Sequence, residues 1–435
     1  MRQRTTTAAS PPSDQTAETI EAAETIEAAD TAEAAVRGTT SEGFTRVRGE
    51  FAAVAAAEPG LSAQLSVRLH GRPVVDLWTG PDVGPDSLFA LYSSGKGAAC
   101  LVAALLVQDG LLDLDRPVAA YWPEFAAEGK AELTLRDLLA HRAGLVGVPG
   151  GFRTSELADD RQLAERLAGA RPCWEPGDGY GYHAFTFGAL IGEVVRRVTG
   201  RTLQEEFDQR LRIPYRLDFY LGLPEREEPR YLPVQPLPPQ PPHLPAERES
   251  LPEPDSLTGI AFNLHADPPT DLTAFANTRT VRAQGPASSG SVGSARGLAA
   301  VYAAAISTVE GQPALLRPGV LDEFTARHSF GADLVTGETD HFLLGFEAQG
   351  VRYRSLGPRA FGHSGAVGAQ AFADPDSGIA YSYTRRRFAP QGGGGAMENH
   401  RLIEAVASAV GRNVTGTGTG PGTDPGTRTG PGARA

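Results

Sequence analysis

The chain has 435 residues, 41% of them hydrophobic, and a formal net charge of −12. That length and apolar content allow a substantial core, in one large domain or two to three ordinary ones. The acidic balance indicates neither a nucleic acid nor an anionic membrane surface as partner.

The two cysteines, Cys100 and Cys173, stand far apart and in no metal-ligand spacing. They imply buried thiols in a reducing compartment, with no disulfide framework, metal or cofactor. The N-terminal residues are polar, with no apolar core of a signal peptide. The longest apolar run, 98–107, is too short to span a bilayer. The expectation is a cytoplasmic protein with no membrane partner.

In chain order, residues 1–42 are low complexity. Glu18-Thr-Ile-Glu-Ala-Ala23 recurs immediately as Glu24-Thr-Ile-Glu-Ala-Ala29, without a core-forming period, which predicts disorder. Residues 43–412 form the predicted globular unit. Ala63, Leu65, Val67 and Leu69 alternate with polar residues and predict a strand. Gly71-Arg72 makes a turn, and 74–78 make the return strand. Residues 96–108 are apolar on nearly every side, as a buried helix would be. Thr134-Leu-Arg-Asp137 resembles a capping box before Leu138-Leu139. Residues 188–198 are a further amphipathic stretch.

Residues 223–255 hold a dense proline cluster and predict an extended, polyproline-like surface excursion. A plain insertion loop is favoured there over a ligand for a proline-binding module. Asp374-Pro-Asp-Ser-Gly378 lies between two strand-like runs, a second hairpin. Residues 402–410 predict a closing helix. The Gly/Thr/Pro repeats of 413–435 predict a disordered tail. Their Gly416-Thr-Gly418-Thr-Gly420 run lacks the strand and helix that a nucleotide loop needs. The fold class is α/β (α+β): an antiparallel sheet from both chain ends, flanked by helices, with an inserted all-helical lobe. A cleft between two such lobes is a natural place for a site.

The chain contains thirty-eight arginines and only two lysines, one of them in Ser93-Ser94-Gly95-Lys96. An ammonium can lose its proton when desolvated, and a guanidinium cannot. Ser93 falls at the start of the apolar helix, and Lys96 lies one turn on, within reach of it. Burial would lower the amine's pKa and make it a base for a serine nucleophile. Read alone, Ser93 could equally cap the helix while Lys96 snorkels. Lys130 lies in a polar connector and needs no function.

Tyr182 ends the Gly-rich stretch Trp174-Glu-Pro-Gly-Asp-Gly-Tyr-Gly-Tyr182, before an amphipathic helix. Placed between two cations, its pKa would fall and let it relay a proton. Phe361-Gly-His363-Ser364-Gly365-Ala366 opens the C-terminal strands, and its glycines let a substrate approach the backbone. His363 could hydrogen-bond an acyl oxygen or tune the tyrosine. Ser364 is rejected as an α/β-hydrolase nucleophile, because Ala366 breaks the Gly-x-Ser-x-Gly pattern.

Together these pieces resemble the serine β-lactamase and penicillin-binding-protein family, most closely class C β-lactamases, DD-peptidases and family VIII carboxylesterases. The resemblance extends over nearly all of 43–412. It includes Leu112-Asp-Leu-Asp-Arg-Pro-Val118, Leu135-Arg-Asp-Leu-Leu-Ala-His-Arg-Ala-Gly-Leu145 and Phe372-Ala-Asp-Pro-Asp-Ser-Gly378. It implies Ser93 as acylated nucleophile, Lys96 as its base and Tyr182 as proton relay. His363 would stand where β-lactamases carry the lysine of Lys-Thr-Gly. Ser364, Gly365 and Ala366 would bind substrate, with the N–H groups of Ser93 and Ala366 as oxyanion hole.

The sequence departs from that pattern twice. The family's Tyr-x-Asn is Tyr182-His183-Ala184 here, and histidine replaces lysine at 363. Both favour esters, thioesters or acyl transfer over efficient β-lactam hydrolysis. The expected function is an esterase on a small-molecule acyl substrate. The alternatives are an acyltransferase or peptide-cyclising thioesterase, a DD-peptidase or β-lactamase, and a non-catalytic binding protein. The oligomeric state is left open.

Overall fold

The structure is a computed structural model and describes residues 35–237, 252–389 and 394–416. Its strands, in chain order, are β1 (Arg37–Thr40), β2 (Ala63–Leu69), β3 (Arg72–Thr79), β4 (Phe89–Ala90), β5 (Phe219–Tyr220), β6 (Val292–Gly293), β7 (Glu347–Ala348), β8 (Phe361–Ser364), β9 (Gln370–Asp374) and β10 (Ile379–Arg385). Seven of them form one sheet in the order β1-β3-β2-β10-β9-β8-β7, with every neighbour antiparallel. The other three form a small sheet, β4-β6-β5, which the sequence reading did not anticipate.

The β2–β3 hairpin turns through His70 and Gly71, both at positive φ (49° and 79°). That is the pattern of a two-residue turn whose twist matches its strands. A Cβ at Gly71 would lie 2.0 Å from the Thr308 carbonyl oxygen, so only glycine fits there. β2 then pairs with β10, Leu65 opposite Tyr383 and Val67 opposite Tyr381. This pairing joins the two ends of the chain in one sheet, as expected.

Both faces of that sheet are covered. Helices α1 (Thr45–Ala57) and α5 (Glu398–Gly416) pack Val47, Phe51, Leu402 and Val406 against Leu65, Val67 and Tyr381. The polar residues that alternate with these are buried too. Gln64 accepts the Ala295 N–H (2.9 Å), which starts α4 (Ala295–Ile306) on the opposite face. The helical lobe is built around α2 (Lys96–Gln108) and α3 (Phe187–Thr199). α2 buries Leu101, Val102 and Leu106 completely. Each such side chain contributes at most about 1.5–3 kcal/mol on folding. The Thr134–Asp137 capping box forms as read, Asp137 N–H donating to Thr134 Oγ1 (3.1 Å).

Several expectations are corrected. The folded unit starts before residue 43, because 37–40 pair with 75–78 as the edge strand β1. α5 runs past 412 to Gly416. Residues 223–237 are only in part a surface excursion, with Arg226, Pro229, Pro233 and Pro236 exposed. Leu223, Tyr231 and Val234 are buried, and Leu88 bridges Tyr231. Apolar residues between the prolines hold this segment against the small sheet. The expectations for 1–34, for most of the proline cluster (238–251) and for 417–435 lie outside the described residues.

Cys173 is exposed, not buried like Cys100. Lys130 is buried, donating to the Ala127 and Ala170 carbonyls (2.7 and 2.6 Å), so it is a structural tie. Among the described residues, no helix is long and apolar enough to cross a membrane.

Candidate active site

Ser93 sits on a single 3₁₀ turn, Tyr92–Gly95, that leads directly into α2. Tyr92 adopts φ +48°, a left-handed conformation costly for a bulky residue. Its hydroxyl donates to Leu272 O (2.9 Å), and its carbonyl accepts from Ser291 Oγ (3.1 Å). These ties hold the strained residue that aims Ser93. From 88 to 106, Ser93 is the one residue that is not buried. A Cβ at Gly95 would lie 2.0 Å from Ser291 Oγ, and one at Gly97 2.1 Å from Tyr302 Oη. The helix start is therefore pressed against its neighbours without room for a side chain at either position.

Lys96 is wholly buried. Its Nζ lies 2.9 Å from Ser93 Oγ and 2.9 Å from Tyr182 Oη, and donates to Ala184 O (2.7 Å) and Ser288 O (2.8 Å). A neutral amine has two N–H groups and one lone pair. The two carbonyls can only accept, so they take both N–H groups and leave the lone pair for a hydroxyl. Burial pushes the Lys96 amine down to about 7, and Glu347 works against that shift.

Tyr182 donates to Ser93 Oγ at 2.6 Å and stacks on Phe342 (5.7 Å, 13°). Its backbone N–H donates to Asp333 Oδ1 (3.2 Å). The expected lowering of its pKa is corrected. Burial pushes the phenol up, and Glu347, Asp333 and Glu338 add to the rise. Burial pushes Lys96 down to about 7 and His363 down to about 4, so neither is a cation where a phenol titrates.

His183 is structural. Its Nε2 accepts from Leu145 N (3.1 Å), which leaves the proton on Nδ1, 2.8 Å from Gly181 O. His363 is buried beneath the cavity wall. Its Nδ1 lies 2.8 Å from Ser364 O and 3.2 Å from Glu347 Oε1. Both neighbours only accept, so Nδ1 carries the proton. Nε2 has no partner among the described residues.

A cavity of about 400 Å³ opens at Ser93. Tyr182, Phe262, Val335 and Phe342 line one part of it, and Ser364, Gly365 and Ala366 another. His363 is not among its lining residues. A third part of the wall is charged and comes from residues the sequence did not point to: Glu338, His341, Glu347 and Arg352. Glu347 accepts from Ser364 N (3.0 Å), Ser364 Oγ (2.7 Å) and Gln349 Nε2 (3.0 Å). Burial pushes this carboxyl up, but His363, Arg352 and His341 outweigh that and hold it well below the usual range. Burial pushes His341 down, yet its hydrogen bonds to Glu338 and Glu347 raise it to about 9. No short spacing links these residues to Ser93, so no local sequence signal could have found them.

The Beta-lactamase family profile matches residues 51–404. The Esterase/beta-lactamase LipL of Mycobacterium tuberculosis is 31% identical over 333 residues, 74% of this chain and 76% of that protein. EstA from Arthrobacter nitroguajacolicus Rue61a has a solved structure similar to this one, with a TM-score of 0.79. It is 40% identical, over 86% of this chain and 98% of that chain. The structure of a family VIII carboxylesterase gives a TM-score of 0.76 and 32% identity, over 86% of this chain and 99% of that chain.

Proposed function

The chain belongs to the Beta-lactamase family, and from that premise we propose an esterase whose acyl-enzyme forms on Ser93. It is a serine hydrolase of the esterase type. The observation that carries the assignment of residues is the triangle of Ser93 Oγ, Lys96 Nζ and Tyr182 Oη, with sides of 2.9, 2.9 and 2.6 Å.

Neutral Lys96 takes the Ser93 proton as Oγ attacks the ester carbonyl. The N–H groups of Ser93 and Ala366 stabilise the oxyanion. Tyr182, kept protonated by its raised pKa, gives its proton to the departing alkoxide and recovers one from the Lys96 ammonium. Water then attacks the acyl-enzyme by the same proton path in reverse, which frees the acid and Ser93.

The wall of the cavity supports an uncharged ester as substrate. The Ser364 hydroxyl is already committed to the buried Glu347 carboxylate. The charges of Glu338, His341, Glu347 and Arg352 satisfy one another. A substrate carboxylate would have to break these pairs. The free thiols Cys100 and Cys173 fit a reducing, cytoplasmic compartment.

The test is intact mass after incubation with a panel of aryl esters. An adduct of acyl mass on the wild type, absent from Ser93→Ala, is expected. Equal adducts on both proteins would overturn the assignment.

A further inference from the structure

Lys96 is seated by two carbonyls, and the Ser288 carbonyl belongs to a turn with its own anchors. Ala287 N–H donates to Asp160 Oδ2 (2.9 Å), and Gly188 N–H donates to Ser288 Oγ (2.6 Å). Gln204 Nε2 bridges Gly285 O (3.2 Å) and Asp160 Oδ2 (3.0 Å). A Cβ at Gly188 would fall 2.5 Å from Ser288 N, so α3 lies directly against this turn. Asp160 is thus one peptide away from the carbonyl that receives a Lys96 N–H.

Asp160 Oδ1 is buried and has no partner among the described residues. The residue lines a second cavity, of about 240 Å³, with Glu193, Arg196 and Gln204. None of these residues lines the Ser93 cavity. Asp160 can therefore exchange a proton without passing through the substrate site.

We propose that Asp160 is a positioning residue for Lys96, holding the Ser288 carbonyl in place and supplying a negative charge behind the amine. This rests on Lys96 being the base. Burial pushes Asp160 up to about 6, opposed by Ala287 N–H and Gln204, while Asp159 adds to the rise. Lys96 titrates nearby, at about 7.

The other groups facing Lys96 hold their charge around neutral pH. Glu347 stays ionised, and Cys100, Tyr182 and Tyr302 stay protonated. His141, His183 and His363 are pushed down by burial and stay neutral. Arg352 stays charged, and His341 is raised to about 9. Asp160 and Lys96 are therefore the pair that changes charge together near pH 7. An ionised Asp160 favours the Lys96 ammonium. Removing that charge frees the amine at lower pH.

The experiment measures kcat and KM against pH with p-nitrophenyl acetate for wild type, Asp160→Asn, Asp160→Ala and Ser93→Ala. Asparagine keeps an acceptor for Ala287 N–H and loses the charge. Its acidic limb should move down by about half a pH unit, the scale of one charge acting through partly solvated protein. Alanine also frees the turn, and its kcat should fall roughly tenfold or more with KM little changed. An Asp160→Asn limb that coincides with the wild type, beside an inactive Ser93→Ala, overturns the role of Asp160 alone. Full activity in Ser93→Ala overturns the functional reading beneath it. If Asp160→Ala fails to fold, the Asp160→Asn limb decides.

Discussion

The Tyr182 hydroxyl lies 2.6 Å from the Ser93 hydroxyl, and the phenol is held protonated by its burial. It is therefore a donor in the resting site. As the tetrahedral intermediate on Ser93 collapses to the acyl-enzyme, the same proton is available for the departing alkoxide.

Tyr182→Phe keeps the ring that stacks on Phe342 and removes the hydroxyl that donates to Ser93 and faces Lys96. Turnover of an alkyl ester should fall by about 10²–10⁴, the usual weight of one general acid. Labelling of Ser93 by a fluorophosphonate should fall much less, because fluoride leaves with little protonation. Equal losses in both assays would contradict a donor role for Tyr182.

Lys96→Arg separates charge from basicity. A guanidinium in this seat cannot give up its proton. Activity on p-nitrophenyl acetate should drop by about 10³ or more, while Lys96 itself gives a kcat/KM that climbs through about pH 7. Its amine is ammonium below that value and a free base above it. A flat profile between pH 5.5 and 8.5 would remove Lys96 as the base.

His341 affects stability with a definite sign. Its pKa is raised from 6.5 to about 9 by Glu338 and Glu347. The stabilisation is full below 6.5 and is lost as pH rises through 9. It amounts to at most about 3 kcal/mol. Lys96, pushed down to about 7, acts with the opposite sign over much of the same range. Wild-type stability alone therefore hides the effect. The difference between wild type and His341→Asn, from urea unfolding, should shrink between pH 6.5 and pH 9.5. A difference constant across that range would refute the coupling.

The sequence carried the parts of this site that short-range geometry can encode. Ser93 and Lys96 are one helical turn apart, and the apolar run after them marks the helix. The β2–β3 hairpin is legible for the same reason, since its alternation is local, although its turn falls at His70-Gly71, one residue before the position expected. The charged wall is not legible. Glu347 meets Ser364 only because β7 pairs with β8 at the sheet edge. Ser288 reaches Lys96 across 192 residues of chain. The position of Tyr182 is legible in the sequence but its titration is not, because burial dominates it and burial has no local sequence mark.

Gly97 offers a test of how tightly the Lys96 helix is seated. A Cβ there would lie 2.1 Å from Tyr302 Oη and 2.7 Å from Tyr302 Cζ, both deep in the core. Gly97→Ala forces the helix or the tyrosine to shift, at a cost of about 1–3 kcal/mol or more. Tyr302 Oη has no partner among the described residues. Tyr302→Phe should therefore be neutral or stabilising by about 1 kcal/mol, since it removes an unsatisfied buried hydroxyl. It also vacates the point of closest approach. The double variant should be more stable than the sum of the single effects predicts, with rescue incomplete because the ring carbons still crowd the new methyl. Thermal unfolding of the four proteins measures the coupling. Additive effects would mean that the cost of Gly97→Ala does not arise at the Tyr302 hydroxyl.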